Sequence, residues 1–319
     1  MVVTNGIRIA VGMVALVLAS GPSAVAGQDD ARSRLVISVD QLAGSLDDSN
    51  VVLLHVGDRA EYDAEHIRGA RYIDLASISA PRPASPSEGL ILELPEPAVL
   101  RERLQDLGVS DDSRIVVYYG NDWITPATRV VLTLQWAGFG DRTRLLDGGM
   151  LSWKAAGRPV TADMPQPRQG RVSPLKTRDV VVTASQVKDR LGQAGVSIVD
   201  ARAPRFYQGQ YESQGERPGH IAGAKSIPFT DVVDDALKFR NMDELRTLFR
   251  NAGVGDSDTI IAYCHIGQQA TAIVFAARLL GHPVVLYDGS YTEWGRSADL
   301  PIEKPGGGQE TGAAHGTGR

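Results

Sequence analysis

The sequence predicts an α/β protein of two tandem domains, each a central, mostly parallel sheet flanked by helices. Three observations lead there. The chain has 319 residues, and domains of about 100–200 residues make that a two-domain length. Its composition, 43% hydrophobic and 22% charged, is that of a globular chain, not a disordered, collagen-like or multi-span membrane one. Finally, the body of the chain is one domain written twice.

The repeat comes in five blocks in the same order. VISVDQL (36–42) matches VVTASQV (181–187), and VVLLHVGDRAEY (51–62) matches VSIVDARAPRFY (196–207). EHIRGARYI (65–73) matches GHIAGAKSI (219–227), and LGVSDDSRIVVYY (107–119) matches AGVGDSDTIIAYC (252–264). LDGGMLSW (146–153) matches YDGSYTEW (287–294). Positions 36, 55, 108 and 119 keep one spacing from 181, 200, 253 and 264, while the second copy carries extra residues just before His220.

Taken from the start, residues 1–26 read as a secretory signal peptide: Arg8, an apolar run at 9–19, the helix breakers Gly21 and Pro22, then Ala24-Val25-Ala26. The run is shorter than the roughly 20 apolar residues that span a bilayer. The expectation is an exported, soluble protein, periplasmic or secreted. The first domain is expected at 33–160 and the second at 179–303. Apolar runs at 51–54, 115–119, 260–264 and 284–287 suit buried strands of a parallel sheet. Residues 243–252 and 270–280 have helical spacing, with Gly253 and Gly281 placed as C-terminal caps. Between the domains, 161–178 holds Pro165, Pro167 and Pro174 among few apolar residues and reads as an exposed linker. The Gly-rich tail from 304 to 319 reads as disordered.

Charge and residue counts remove several function classes. The formal net charge is −5 with no basic run, which argues against nucleic acid as a partner. A single cysteine excludes an intramolecular disulfide and a cysteine-based zinc cluster. The six histidines are scattered without metal-binding spacing, so neither a metal nor another cofactor is expected.

That one cysteine stands where chemistry is expected. Cys264 closes the apolar strand, and His265, Ile266, Gly267, Gln268 and Gln269 follow before the helix near Ala270. Loops at the carboxyl ends of parallel strands form the sites of such sheets. A strand–loop–helix turn can aim backbone N–H groups at one point, and the helix N-terminus adds partial positive charge. Both should lower the thiol pKa from about 8.5. A free cysteine is as often a small buried hydrophobe. The repeat weighs against that here, because the matching point of the first copy is Tyr119, followed by Gly120 and Asn121. One working site and one degenerate copy are expected.

The type of thiol chemistry follows by elimination. A cysteine phosphatase needs an arginine six residues on to clamp phosphate, and that position is Ala270. A papain-like protease needs a distant histidine base. His265 is adjacent, and the His220 turn recurs around His66 in the copy without a thiol. A thioredoxin-like oxidoreductase needs a second cysteine. A thiolate that accepts and passes on sulfur as a persulfide remains.

At these residues the chain resembles the two-domain rhodaneses, the thiosulfate sulfurtransferase family. VDAR (199–202), PGHIAGAKSIPF (218–229), YCHIGQQAT (263–271) and LYDGSYTEW (286–294) match family blocks in order. The similarity covers about residues 33–303. It implies two tandem rhodanese-like domains, the first inactive and the second catalytic. It implies that Cys264 takes the outer sulfur of thiosulfate, releases sulfite and holds a persulfide cradled by the N–H groups of 265–269. Cyanide or a thiol then collects the sulfur. The family also places a substrate-contacting arginine just after the strand ending at Asp200; Arg205 is the closer match and Arg202 the second. The loop itself departs from many thiosulfate-using members in lacking a permanent cation, and from mercaptopyruvate-using members in lacking their small Gly/Ser loop. A 3-mercaptopyruvate donor, or a non-catalytic persulfide or anion-binding module, therefore stay open as alternatives. Asp200, His220, Asp288 and Trp294 are expected in structural roles, and the protein is expected to be a monomer.

Overall fold

The protein is described here from a computed structural model covering residues 31–85, 88–121, 123–166, 168–211, 215–304 and 307–310. The targeting segment expected at 1–26 lies outside the described residues, as does the chain beyond 310.

In the first domain β1 (Val36–Ile37) leads into α1 (Val39–Ala43), whose start is set by a capping box between Ser38 and Gln41. β2 (Val51–Val56) is followed by α2 (Arg59–Ala64), capped by Asp58 through the amides of Ala60 and Glu61. Then come β3 (Arg71–Tyr72), α3 (Pro97–Asp106), β4 (Arg114–Tyr119), α4 (Thr125–Trp136), β5 (Thr143–Leu146) and α5 (Gly149–Ala155). The sheet order is β1-β5-β4-β2-β3, with every pair parallel.

The second domain repeats this with β6 (Val181–Val182), α6 (Ala184–Lys188), β7 (Val196–Asp200), α7 (Pro204–Tyr207), β8 (His220–Ile221) and β9 (Lys225–Ser226). It continues with α8 (Met242–Asn251), β10 (Thr259–Tyr263), α9 (Ala270–Leu280), β11 (Val284–Tyr287) and α10 (Ser290–Arg296). Its sheet, β6-β11-β10-β7-β9, is again parallel throughout. Gly281 ends α9 in the left-handed region at φ 88°, where a side chain would be strained.

The copies share side-chain bonds as well as strands. The Nδ1 atoms of His66 and His220 each lie 2.7 Å from a tyrosine carbonyl, that of Tyr62 and of Tyr207. Each ring also stacks on that tyrosine. The indoles of Trp153 and Trp294 donate to Pro159 and Pro301 carbonyls at 2.9 and 3.0 Å. These residues recur because both turns need the same buried polar groups satisfied.

One apolar core joins the domains. α4 and α9 are buried along most of their length and pack on each other, with Thr128 and Thr271 hydroxyls 2.7 Å apart. Each helix follows one of the two matching loops, so both loops open onto the seam between the domains.

Two expectations need refinement. The segment 161–178 is exposed along most of its described length, as expected, but is not loose. Thr161 pairs with His66 in an antiparallel bridge, Gly170 N donates to Gln105 O at 2.8 Å, and Val172 is 3% exposed in the core. Burying Val172 and pairing these amides straps the segment to the first domain. Nor is the tail disordered from its start. β12 (Ile302–Lys304) pairs antiparallel with β8 and with β13 (Gly307–Glu310). Ile302, 1% exposed, anchors that strand.

Candidate active site

β10 runs apolar and buried to its carboxyl end, where Cys264 follows with no exposed surface. The chain then turns through 265–269 and enters α9. Gly267 makes the turn possible: its φ is +75°, and an added Cβ would meet Asp288 O at 2.9 Å and Arg129 Nη1 at 3.0 Å. The backbone N–H groups of Ala270, Ile266, Gln269 and Gly267 all hydrogen-bond toward the Cys264 sulfur. On the other side, Cys264 N donates to Ser290 Oγ at 3.2 Å and Tyr291 N donates to Cys264 O at 2.9 Å. Ser290 itself sits at φ +53°, a strained conformation for a non-glycine residue.

The thiol pKa does not move as expected. Burial pushes the Cys264 thiol up, and the four converging amides oppose that without cancelling it. Removing water from the sulfur costs the thiolate more solvation than the peptide dipoles return. The resting sulfur is therefore a protected thiol in a shell of donors suited to an anion.

The arginines divide differently from the sequence reading, which left both able to hold a donor. Arg202 is 2% exposed and spent inside the protein. Its Nε and Nη2 donate to both Asp200 oxygens at 2.6–3.1 Å, and Nη2 donates to Gly219 O at 2.7 Å. Its guanidinium also lies 3.8 Å from the Tyr291 ring centroid. Asp200 further accepts from the Arg202 amide and the Tyr263 hydroxyl. A buried ion pair held this way ties Arg202 to Asp200 and Gly219 rather than leaving it turned toward an incoming dianion. Arg205 is exposed on α7, over Phe206 and Tyr211 at 4.9 and 5.7 Å. Phe206 meets His265 edge-on at 4.5 Å. Burial first, then Arg202, with Arg205 in the same direction, drives the His265 pKa down to about 4, so its imidazole is neutral at pH 7.

Among the loop residues, Ile266, Gly267 and Gln269 bring amides to the sulfur. Gln268 turns away. Its Nε2 donates to Thr125 Oγ1 of the first domain at 3.2 Å. In the first copy Tyr119 replaces the thiol; its buried ring reaches across the seam, and its hydroxyl donates to Leu237 O at 2.7 Å.

Sequence reasoning missed the first domain's part in this site. Arg129 of α4 bonds Asp288 and Leu92 O, and its Nη1 lies 3.4 Å from Gly267 O. Leu94 N donates to Asp288 Oδ2 at 3.2 Å. Glu93 stands beside them, its pKa pushed up to about 7 by burial and by Asp288. The 74–96 segment has no repeat counterpart and no motif. Only Arg129, the single charged residue of α4, could have flagged it.

A buried thiol faced by backbone amides at the carboxyl end of a parallel sheet is the candidate site of this α/β protein. The rhodanese-like domain model matches residues 38–156 and 183–297, and the chain belongs to the rhodanese family. It is 33% identical over 293 residues to the sulfur carrier protein TtuD of Thermus thermophilus, covering 86% of this chain and 98% of that one. It is 32% identical over 248 residues to the thiosulfate sulfurtransferase of Rattus norvegicus, covering 75% and 80%. The solved structure of the 3-mercaptopyruvate sulfotransferase SseA from Escherichia coli matches with a TM-score of 0.70 and 26% identity, over 80% of this chain and 98% of that one. The chain is thus a sulfurtransferase of this family, acting on small sulfur donors and acceptors.

Proposed function

We propose that the protein moves a sulfane sulfur from thiosulfate to cyanide or a thiol through a persulfide on Cys264. The observation that carries this is the convergence of four backbone amides on one buried sulfur, with no second cysteine to resolve it. Cys264 gives its thiol proton to solvent and attacks the outer sulfur of thiosulfate as the thiolate; an S–S bond forms, and sulfite leaves with the electron pair of the broken bond. The persulfide anion then sits where the amides compensate its charge. Cyanide carbon or an acceptor thiolate attacks the outer sulfur, and the Cys264 thiolate returns. Arg205 at the mouth supplies the charge that draws the dianion in. Asp200 and Arg202 act behind the site by holding Tyr263 and the strand end.

The 3-mercaptopyruvate reading keeps equal standing on a specific observation. The loop has no permanent cation, Arg202 is committed to Asp200, and a monoanionic donor asks less of the site than a dianion. The order of residues 1–26 further supports action after export, in the periplasm or outside the cell.

The test has two arms. Cys264→Ser should abolish transfer while the protein stays folded, and wild type treated with donor should gain about 32 Da on the Cys264 peptide, as a covalent intermediate requires. Steady-state kcat/KM for thiosulfate against mercaptopyruvate, with cyanide as common acceptor, then chooses the donor. An active serine variant would sink the assignment.

A further inference from the structure

The domain without a thiol contributes more than packing. α4 is an apolar helix buried on nearly all sides, yet it carries Arg129 at 1% exposure. A guanidinium is rarely placed so deep without a fixed task. Its Nη1 faces the Asp288 carboxylate and, at 3.4 Å, the carbonyl of Gly267; its Nη2 faces the carbonyl of Leu92. Asp288 is fixed in turn by the Leu94 amide at 3.2 Å. Two of the three non-glycine residues at positive φ among those described, Leu92 (63°) and Ser290 (53°), flank this arrangement. One presents its carbonyl to Arg129, and the other holds the Cys264 amide. Strained backbone kept in place on both sides of one loop marks a geometry that the surroundings impose.

Gly267 joins the two halves. Its N–H points at the Cys264 sulfur, and its carbonyl, across the same residue, points at Arg129. Moving that carbonyl reorients the neighbouring peptide planes, and with them the donors that face the sulfur.

We infer that Arg129 is a positioning residue for sulfur transfer, clamping Asp288 and the Gly267 carbonyl so that the amides of Ile266, Gly267, Gln269 and Ala270 stay aimed at Cys264. The thiol-less copy thus completes the site of its partner domain. This inference rests on Cys264 being the sulfur carrier. A planar fork is needed, because one group must serve a carboxylate and two carbonyls in different directions. Lysine keeps the charge and cannot make all three contacts.

The experiment compares wild type, Arg129→Lys, Asp288→Asn and Cys264→Ser, all as full-length protein, at a temperature where circular dichroism shows each folded. It reads kcat and KM for sulfur transfer to cyanide, and the pH profile of Cys264 alkylation by iodoacetamide. Alkylation depends on the thiolate and not on turnover. Arg129→Lys should lower kcat about ten- to a hundredfold, the usual effect of a sub-ångström to ångström misplacement. Its KM should stay within about twofold, and its alkylation profile should move to higher pH as amides turn from the sulfur. Asp288→Asn, which keeps shape and loses charge, should shift the profile the same way and provides the reading if the lysine variant does not fold. A role in packing alone would lower the melting temperature and leave the profile and kcat of the folded fraction unchanged, and that result overturns the inference. Cys264→Ser separates the two levels. If it still turns over, the sulfur-carrier reading fails; if it is dead while both seam variants match wild type, only the Arg129 role fails.

Discussion

Replacing Gly267 by alanine tests whether the sulfur cradle is held by close contact across the seam. Gly267 and Gly223 share a left-handed backbone, φ +75° and +73°, and differ in surroundings. Nothing lies within 4 Å of a Cβ at Gly223, whereas at Gly267 it would meet Asp288 O and Oδ1 at 2.9 Å and Arg129 Nη1 at 3.0 Å. The left-handed conformation costs an alanine about 1–2 kcal/mol at either site. Forcing a methyl into a filled space adds about 1–3 kcal/mol at Gly267 alone. Gly223→Ala should therefore lose about 1–2 kcal/mol in urea unfolding and keep its transfer rate. Gly267→Ala should lose about 2–5 kcal/mol, the sum of those two costs. Relief of the clash must push the loop away from Arg129 and Asp288, so kcat/KM for thiosulfate:cyanide transfer per folded molecule should drop about tenfold or more. Equal destabilisation by the two substitutions would refute the claimed contact. So would a Gly267→Ala enzyme with wild-type kcat/KM, because then the loop tolerates displacement.

The arginine pair should separate by property. Arg202→Ala leaves Asp200 buried and unpaired, so it should cost about 3–5 kcal/mol of stability. Arg205→Ala should leave stability nearly unchanged and, in steady-state assays, lower kcat/KM for thiosulfate by about tenfold, the lower end expected of a charge-assisted contact at an exposed site. Wild-type kcat/KM in Arg205→Ala would remove it from donor binding. Glu93 predicts a pH dependence of stability. Its folded pKa is raised to about 7 from 4.5, so between those values the folded state holds a proton that the unfolded state has lost. Stability should then fall as pH rises from about 4.5 to 7 and level off above. Full conversion would be about 3 kcal/mol, and because the carboxyl is only part-buried, solvent screening leaves about 1–2 kcal/mol. Urea unfolding at pH 5 and pH 8 should show that difference in wild type and a smaller one in Glu93→Gln. An equal pH response in both would rule out Glu93 as its source.

Several features depended only on short stretches of chain, and the sequence determined them alone. The parallel sheets follow from four- to six-residue apolar runs separated by helical spacing, and the fold class from writing that pattern twice. The helix after Cys264 and its glycine stop at Gly281 are local too, since capping is decided within a turn of the helix end. The contrast of Cys264 with Tyr119 is legible because the repeat aligns the two loops. What tertiary structure decided is which groups face each other across distance. Arg202 and Arg205 are three residues apart, and nothing local says that one is locked on Asp200 while the other is exposed over Phe206 and Tyr211. The direction of the thiol shift depended on how completely the folded chain buries Cys264, because desolvation scales with surroundings and not with the loop's own amides. The seam of Arg129, Asp288, Leu94 and Glu93 joins segments up to about two hundred residues apart in the chain, and such pairings are set by the packing of α4 on α9 rather than by any pattern within either segment.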